Sequence, residues 1–150
     1  MENNLKFNSA ICTSCVQSER LLALGLKKET ADMYWFDHAL TEDYEDWRET
    51  PIYKDWEEWQ EYGIPAWSLG RLIEMLPSPI PIREDLPTFH HYAFLNLSAE
   101  SVVYCWENYD GADRALVGFT GNGFFAAVVD ATEWLIKEGC FNKEYLEEQI

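Results

Sequence analysis

Basic residues are scarce in this chain: 11 lysines and arginines stand against 27 aspartates and glutamates, giving a formal net charge of -16 at pH 7 over 150 residues. A phosphate backbone is bound chiefly by neutralising it, so direct nucleic-acid binding is not expected. Long apolar runs are missing as well. None approaches the roughly 18 to 20 residues that span a bilayer, and the opening MENNLKFNSA has neither the basic start nor the apolar stretch of a signal peptide. No membrane partner is expected, and the expected location is the cytoplasm. Cysteine is limited to Cys12, Cys15, Cys105 and Cys140, which should stay reduced there. No internal repeat interrupts the sequence.

Apolar and aromatic side chains are plentiful. They make up 47% and 15% of the chain, with 7 Trp, 8 Tyr and 8 Phe, enough to offset the entropy of ordering in one compact unit. Residues 1–150 are therefore read as a single domain. Acidity by itself serves solubility.

The periodicities predict an α+β fold. Ser14 and Gln17 have the spacing of a capping box, and Gly25 suits a left-handed helix end covered by Leu26, so a helix is expected over about 15–24. TADMYWFDH is rich in strand formers, which gives a possible fourth strand at about 31–37. In IPAWSLGRLIEMLPSP, Pro65 suits a first helical turn, while Leu69, Leu72, Ile73 and Leu76 form one apolar face, predicting a helix at about 65–76. A proline-dense stretch then runs in extended form to Pro87. TFHHYAFLNL, SVVYCWENY and RALVGFT, separated by polar turns at SAES and DGAD, read as a three-stranded antiparallel meander at about 88–120. A helix at about 124–138, stopped by Gly139, should lie against it.

The junction GFTGNGFF invites a nucleotide-binding reading. Gly118, Gly121 and Gly123 have the spacing Gly-x-x-Gly-x-Gly, the reverse of a dinucleotide fingerprint, and Phe124 and Phe125 stand where a P-loop needs lysine and a hydroxyl. A structural role is expected instead: the glycines let the strand turn sharply and Asn122 caps the helix. No cofactor is expected.

The remaining motifs are weak. Cys12 and Cys15 form Cys-x-x-Cys, half of a zinc site or a redox pair; zinc would need Cys105, Cys140, His90 or His91 to converge on it. The expected state is small unlinked side chains without metal. AWSLG matches a relaxed nucleophile elbow around Ser68, but QEYGIP before it does not read as the required strand. His90 and His91, adjacent on an expected strand, would point to opposite faces, one partly buried and one at the surface. Paired carboxylates such as Glu57 and Glu58 also fit countless acidic surfaces. No catalytic residue is assigned.

The most suggestive stretch is residues 37–62, with ten acidic and two basic side chains and half of the net charge. Its rings distinguish it from an ordinary acidic tract: they should anchor the segment while its carboxylates face water. Tyr44, Trp47, Trp56, Glu57, Glu58, Trp59, Glu61 and Tyr62 are the candidate partner-binding residues, since interface centres favour Trp and Tyr while charge steers encounter.

LLALGLKKETADMYW, IPAWSLGRLIEMLP and AAVVDATEWLIKEG, in this order across about residues 16–139, together resemble a family of small uncharacterised proteins encoded by phages and mobile elements of gut bacteria. The resemblance implies origin and no particular reaction. The expected function is a non-enzymatic interaction or accessory protein that binds a basic protein partner through the acidic aromatic excursion, DNA mimicry being a special case. The alternative is a ligand-binding or hydrolytic enzyme using Glu57, Glu58, His90 and His91 beside the sheet.

Overall fold

The computed structural model describes residues 11–35, 51–53, 63–120 and 122–148, with the side chains of 51–53 outside that description. The fold is α+β, with two antiparallel sheets and three α-helices among the described residues.

Helix α1, Cys15–Ala23, begins with the expected capping box: the Gln17 amide donates to Ser14 Oγ at 3.1 Å, and the Ser14 amide donates to Gln17 Oε1 at 2.9 Å. Gly25, at φ 100°, turns the chain so that the Leu26 amide reaches back to the Leu21 carbonyl at 3.1 Å and Leu26 is buried. A side chain at that φ would be strained, which is why glycine ends the helix. A 3₁₀ turn at Lys28–Thr30 leads into strand β1, Met33–Trp35.

The strand expected near 31–37 is therefore present, but it is not a neighbour of the meander. β1 is the centre of a small sheet in the order β2-β1-β3, between β2 (Pro51–Tyr53) and β3 (Ile64–Ala66), antiparallel to both. The prolines explain the order. Pro51, Pro65 and Pro81 cannot donate to a ladder, and all three lie on edge strands. Pro65 accordingly belongs to β3, and helix α2 starts later than the sequence suggests, at Leu69–Met75. Ser68 supplies the start, its hydroxyl accepting from the Arg71 amide at 3.2 Å.

The larger sheet has the order β4-β5-β6-β7, with β4 at Ile80–Pro81, β5 at Tyr92–Leu97, β6 at Ser101–Glu107 and β7 at Asp113–Thr120. The last three form the expected meander. Its turns are closed by the Ser98 amide donating to the Ser101 carbonyl at 3.0 Å and the Asn108 amide donating to the Ala112 carbonyl at 2.9 Å. β4 rather than β1 supplies the fourth strand. A register shift after Tyr104 sets Leu116 apart as an extra residue in β7.

Helix α3, Phe124–Lys137, lies against β6 and β7 and also meets α2. It buries Ala127, Val128, Val129, Ala131, Thr132 and Leu135 against a continuous core that includes Val102 and Tyr104 from the sheet, Leu72 and Met75 from α2, and Leu21 from α1. Full burial of a Val or Leu side chain stabilises by roughly 1.5–3 kcal/mol, so this face, not helix propensity, holds α3 in place. The turn into α3 is made by Gly123 at φ 104°, which is itself the N-cap. The expected Asn122 cap is not formed, because a residue that must adopt positive φ displaces the capping position by one. Gly118 lies within β7, paired with Val103, and Gly121 falls outside the described residues.

Candidate functional site

The densest polar grouping among the described side chains lies where the start of α1, the small sheet and α2 meet. Thr13 and Ser18 are both fully buried and share a 2.7 Å hydroxyl hydrogen bond. The Trp67 amide donates to Thr13 Oγ1 at 3.1 Å, and the Thr13 amide donates to the Trp67 carbonyl at 2.9 Å. The Trp67 indole, also fully buried, donates to Thr30 Oγ1 at 2.9 Å, and the Thr30 hydroxyl donates to the Lys27 carbonyl at 2.6 Å. Arg71 Nε donates to the Thr30 carbonyl at 2.8 Å, and Trp35 Nε1 donates to the Thr13 carbonyl at 2.8 Å. Buried hydroxyls and indoles need such partners, so this network specifies how three elements dock.

Asp32 completes it. One carboxylate oxygen accepts from the Ser68 amide at 2.8 Å and the other from the Ser68 hydroxyl. A strand does precede Ser68, contrary to the sequence expectation, because β3 becomes legible only through its pairing with β1. Even so, the geometry is that of a helix cap. A nucleophile elbow holds its serine in a strained turn, whereas Ser68 has φ -68° and ψ 162°, and its hydroxyl is engaged both as donor to Asp32 and as acceptor from the Arg71 amide. Ser68→Ala is expected to cost about 0.5–2 kcal/mol, read as a lower urea midpoint at unchanged slope. Fluorophosphonate labelling should leave the serine unmodified.

Two of the cysteine thiols, Cys12 and Cys140, are held away from ionisation. Burial, then the Asp32 carboxylate, then Cys15 push the Cys12 thiol up to about 12, so it is protonated and inert near neutrality. The Cys140 thiol is raised by burial and by Glu138. No disulfide joins the four cysteines, and no group of three or more metal-ligating side chains gathers among the described residues. Cys105 lies on β6 of the larger sheet, whereas Cys12 forms an isolated bridge to Ser68 outside the strands.

His90 and His91 differ from expectation: both are exposed, and both precede β5 instead of alternating within it. His90 Nε2 stands 4.0 Å from Glu107 Oε1. Two exposed imidazoles outside the ladder have no neighbouring strand to bury one of them.

Tyr44, Trp47, Trp56, Glu57, Glu58, Trp59, Glu61 and Tyr62 lie outside the described residues. Of the 37–62 segment, the structure describes β2, whose backbone pairs Pro51 with Trp35 and Tyr53 with Met33.

The sequence reading passed over the solvent face of the meander. Ala93, Val102 and Tyr104 turn inward and are fully buried, so the alternate positions turn outward: Tyr92 and Phe94 on β5, Val103, Cys105 and Glu107 on β6, Asp113, Ala115 and Gly118 on β7. Tyr92 and Phe94 are about half exposed, at 49% and 53%. At the end of this face Phe89 and Tyr109, exposed at 78% and 57%, form a tilted ring pair with centroids 4.6 Å apart. Strict alternation in YAFLNL was the available signal: its outward positions carry rings where a solvated face normally carries polar groups.

A concavity of about 710 Å³ lies between the end of α3 and the returning C-terminal segment, floored by Leu24, Ile136, Phe141 and Leu146 with Lys137, Lys143, Glu147 and Glu148 around it. Among the described residues no helix is long and apolar enough to cross a membrane. The sequence matches no protein-family model, and comparison with curated proteins and with solved structures found no match.

Proposed function

We propose that the chain is a non-enzymatic interaction protein of the cytoplasm, an accessory factor of a phage or mobile element, which binds a basic protein through residues 37–62. The observation that carries this reading is the pairing of Pro51–Tyr53 with β1. It ties the middle of the acidic segment to the strand that the Thr13, Trp67 and Asp32 network holds in place. A tethered segment costs less entropy to order on a partner than a free one. The charge favours a basic partner, because the segment carries ten carboxylates against two cations.

The groups that would have served an enzyme are engaged otherwise: Ser68 caps α2, the Cys12 thiol is protonated, and the two histidines stand apart from any described pocket. Pull-down with the intact chain is expected to recover a protein of net positive charge in a salt-sensitive manner. The double variant Trp56→Ala, Trp59→Ala should lose it while circular dichroism stays unchanged. Recovery of the same partner by the double variant overturns the proposal.

A further inference from the structure

From the solvent face of the β5–β6–β7 sheet we infer a second docking surface, which receives an arginine-bearing segment of a partner protein, guanidinium groups lying on the rings of Tyr92, Phe94 and Tyr109 and meeting Glu107 and Asp113. This face shares no residue with the 37–62 segment, so it stands independently of the function proposed above.

The first argument is shape. Phe94 pairs in register with Cys105 and Cys105 with Ala115, while Asn96 pairs with Val103 and Val103 with Gly118. Cross-strand partners share a face. Bulky rings therefore stand along β5, and small side chains floor β6 and β7 beside them, leaving a shallow trough walled on one side by aromatics. Rings exposed by about half or more, concentrated on one sheet face and at its end, are unusual for a surface facing only water.

The second argument is charge. Glu107 and Asp113 are directly opposite each other across β6 and β7, and like charges in that position repel. Among the described residues, the cation that meets either of them is His90, 4.0 Å from Glu107. Arg114, the nearest arginine in sequence, is directed to Asp110 at 3.9 Å. A guanidinium arriving at this end of the trough would relieve the repulsion. Arginine suits the site better than lysine because its planar group stacks on rings and can engage carboxylates through two parallel hydrogen bonds. A second copy of the chain suits it poorly: two-fold pairing of this face would bring two carboxylate rows together, between chains of net charge -16 each.

The test is titration of the full chain into a fluorescent peptide of alternating leucine and arginine, and into the same peptide with lysine for arginine. The arginine peptide is expected to bind more tightly, with amide shifts concentrated on β5 to β7. Tyr92→Ala with Phe94→Ala should weaken it by about tenfold, and Glu107→Gln with Asp113→Asn should weaken it and flatten its salt dependence. Trp56→Ala with Trp59→Ala should leave it unchanged, which separates this surface from the acidic segment. All four face residues are exposed, and circular dichroism checks that their variants remain folded. Undiminished binding by the Tyr92, Phe94 variant, equal binding of the lysine peptide, or shifts confined to other surfaces overturns the inference. So does self-association in sedimentation that Phe94→Ala abolishes.

Discussion

Trp67→Ala is expected to lower the unfolding free energy by about 3–5 kcal/mol, the range for removing a fully buried indole. The ring has no solvent exposure and belongs to the main core. Truncation removes its dispersion contacts and leaves a cavity, and it deprives Thr30 Oγ1 of the indole N–H that it accepts at 2.9 Å. Against a typical total of about 5–15 kcal/mol, this is a large share of the protein's stability. Trp67→Phe separates the two contributions. It retains most of the apolar volume and loses the hydrogen bond, worth about 1 kcal/mol. The bonds that the Trp67 amide and carbonyl make with the Thr13 hydroxyl and amide survive both changes, so the strand-to-helix turn is still specified. Urea denaturation followed by far-ultraviolet circular dichroism is the measurement, because seven tryptophans make fluorescence ambiguous. A loss below about 1 kcal/mol for Trp67→Ala would show that the network does not hold the elements together as described.

Stability should also fall steeply at alkaline pH. Burial, with Asp32 and Cys15 adding to it, pushes the Cys12 thiol from 9.0 to about 12 in the folded chain. Tyr104, buried and donating to the Pro77 carbonyl at 2.7 Å, is likewise raised above its ordinary value of 10.0, by burial first and then by Cys140. In both cases the folded state keeps a proton that the unfolded chain releases. The Cys12 contribution is therefore fully present below pH 9 and is lost as pH rises toward about 12. Between its unfolded and its folded value each such group contributes a slope of about -1.4 kcal/mol per pH unit, Tyr104 from pH 10.0 upward. Cys12→Ala should be less stable near neutrality, through lost packing, yet show a shallower decline between pH 9 and 12. Parallel declines for the two proteins would mean that Cys12 ionises in the folded state as readily as in the unfolded one.

These two expectations rest on residues that the sequence displayed unequally. Ser14, Gln17, Gly25 and Gly139 announced three helix ends because a cap depends on neighbours three or four positions away, and the structure places all four where expected. The meander was similarly visible, since its strands are joined by short turns and alternate inward and outward residues. β1 to β3 were harder to read. Each has three residues, too few for a periodicity, and Pro65 carried a helix-start signal that its edge position overrode. Asp32 offered no local clue at all: its partner, Ser68, lies 36 positions away.

Local chemistry in the sequence by itself determined the α+β class, the capped ends of α1, the meander and its turns, the apolar face of α2, the largely apolar helix α3 with its glycine stop, and the acidic character of the chain. Tertiary structure alone decided that β1 leaves the main sheet, that Ser68 is a cap bound to Asp32 and no elbow, that the Cys12 thiol is held protonated, and that Tyr92 and Phe94 face solvent beside opposed carboxylates. The division is physical: caps, turns and alternation are set by interactions a few residues long, whereas strand partners, burial and the electrostatic surroundings of a side chain depend on which distant segments the core brings together.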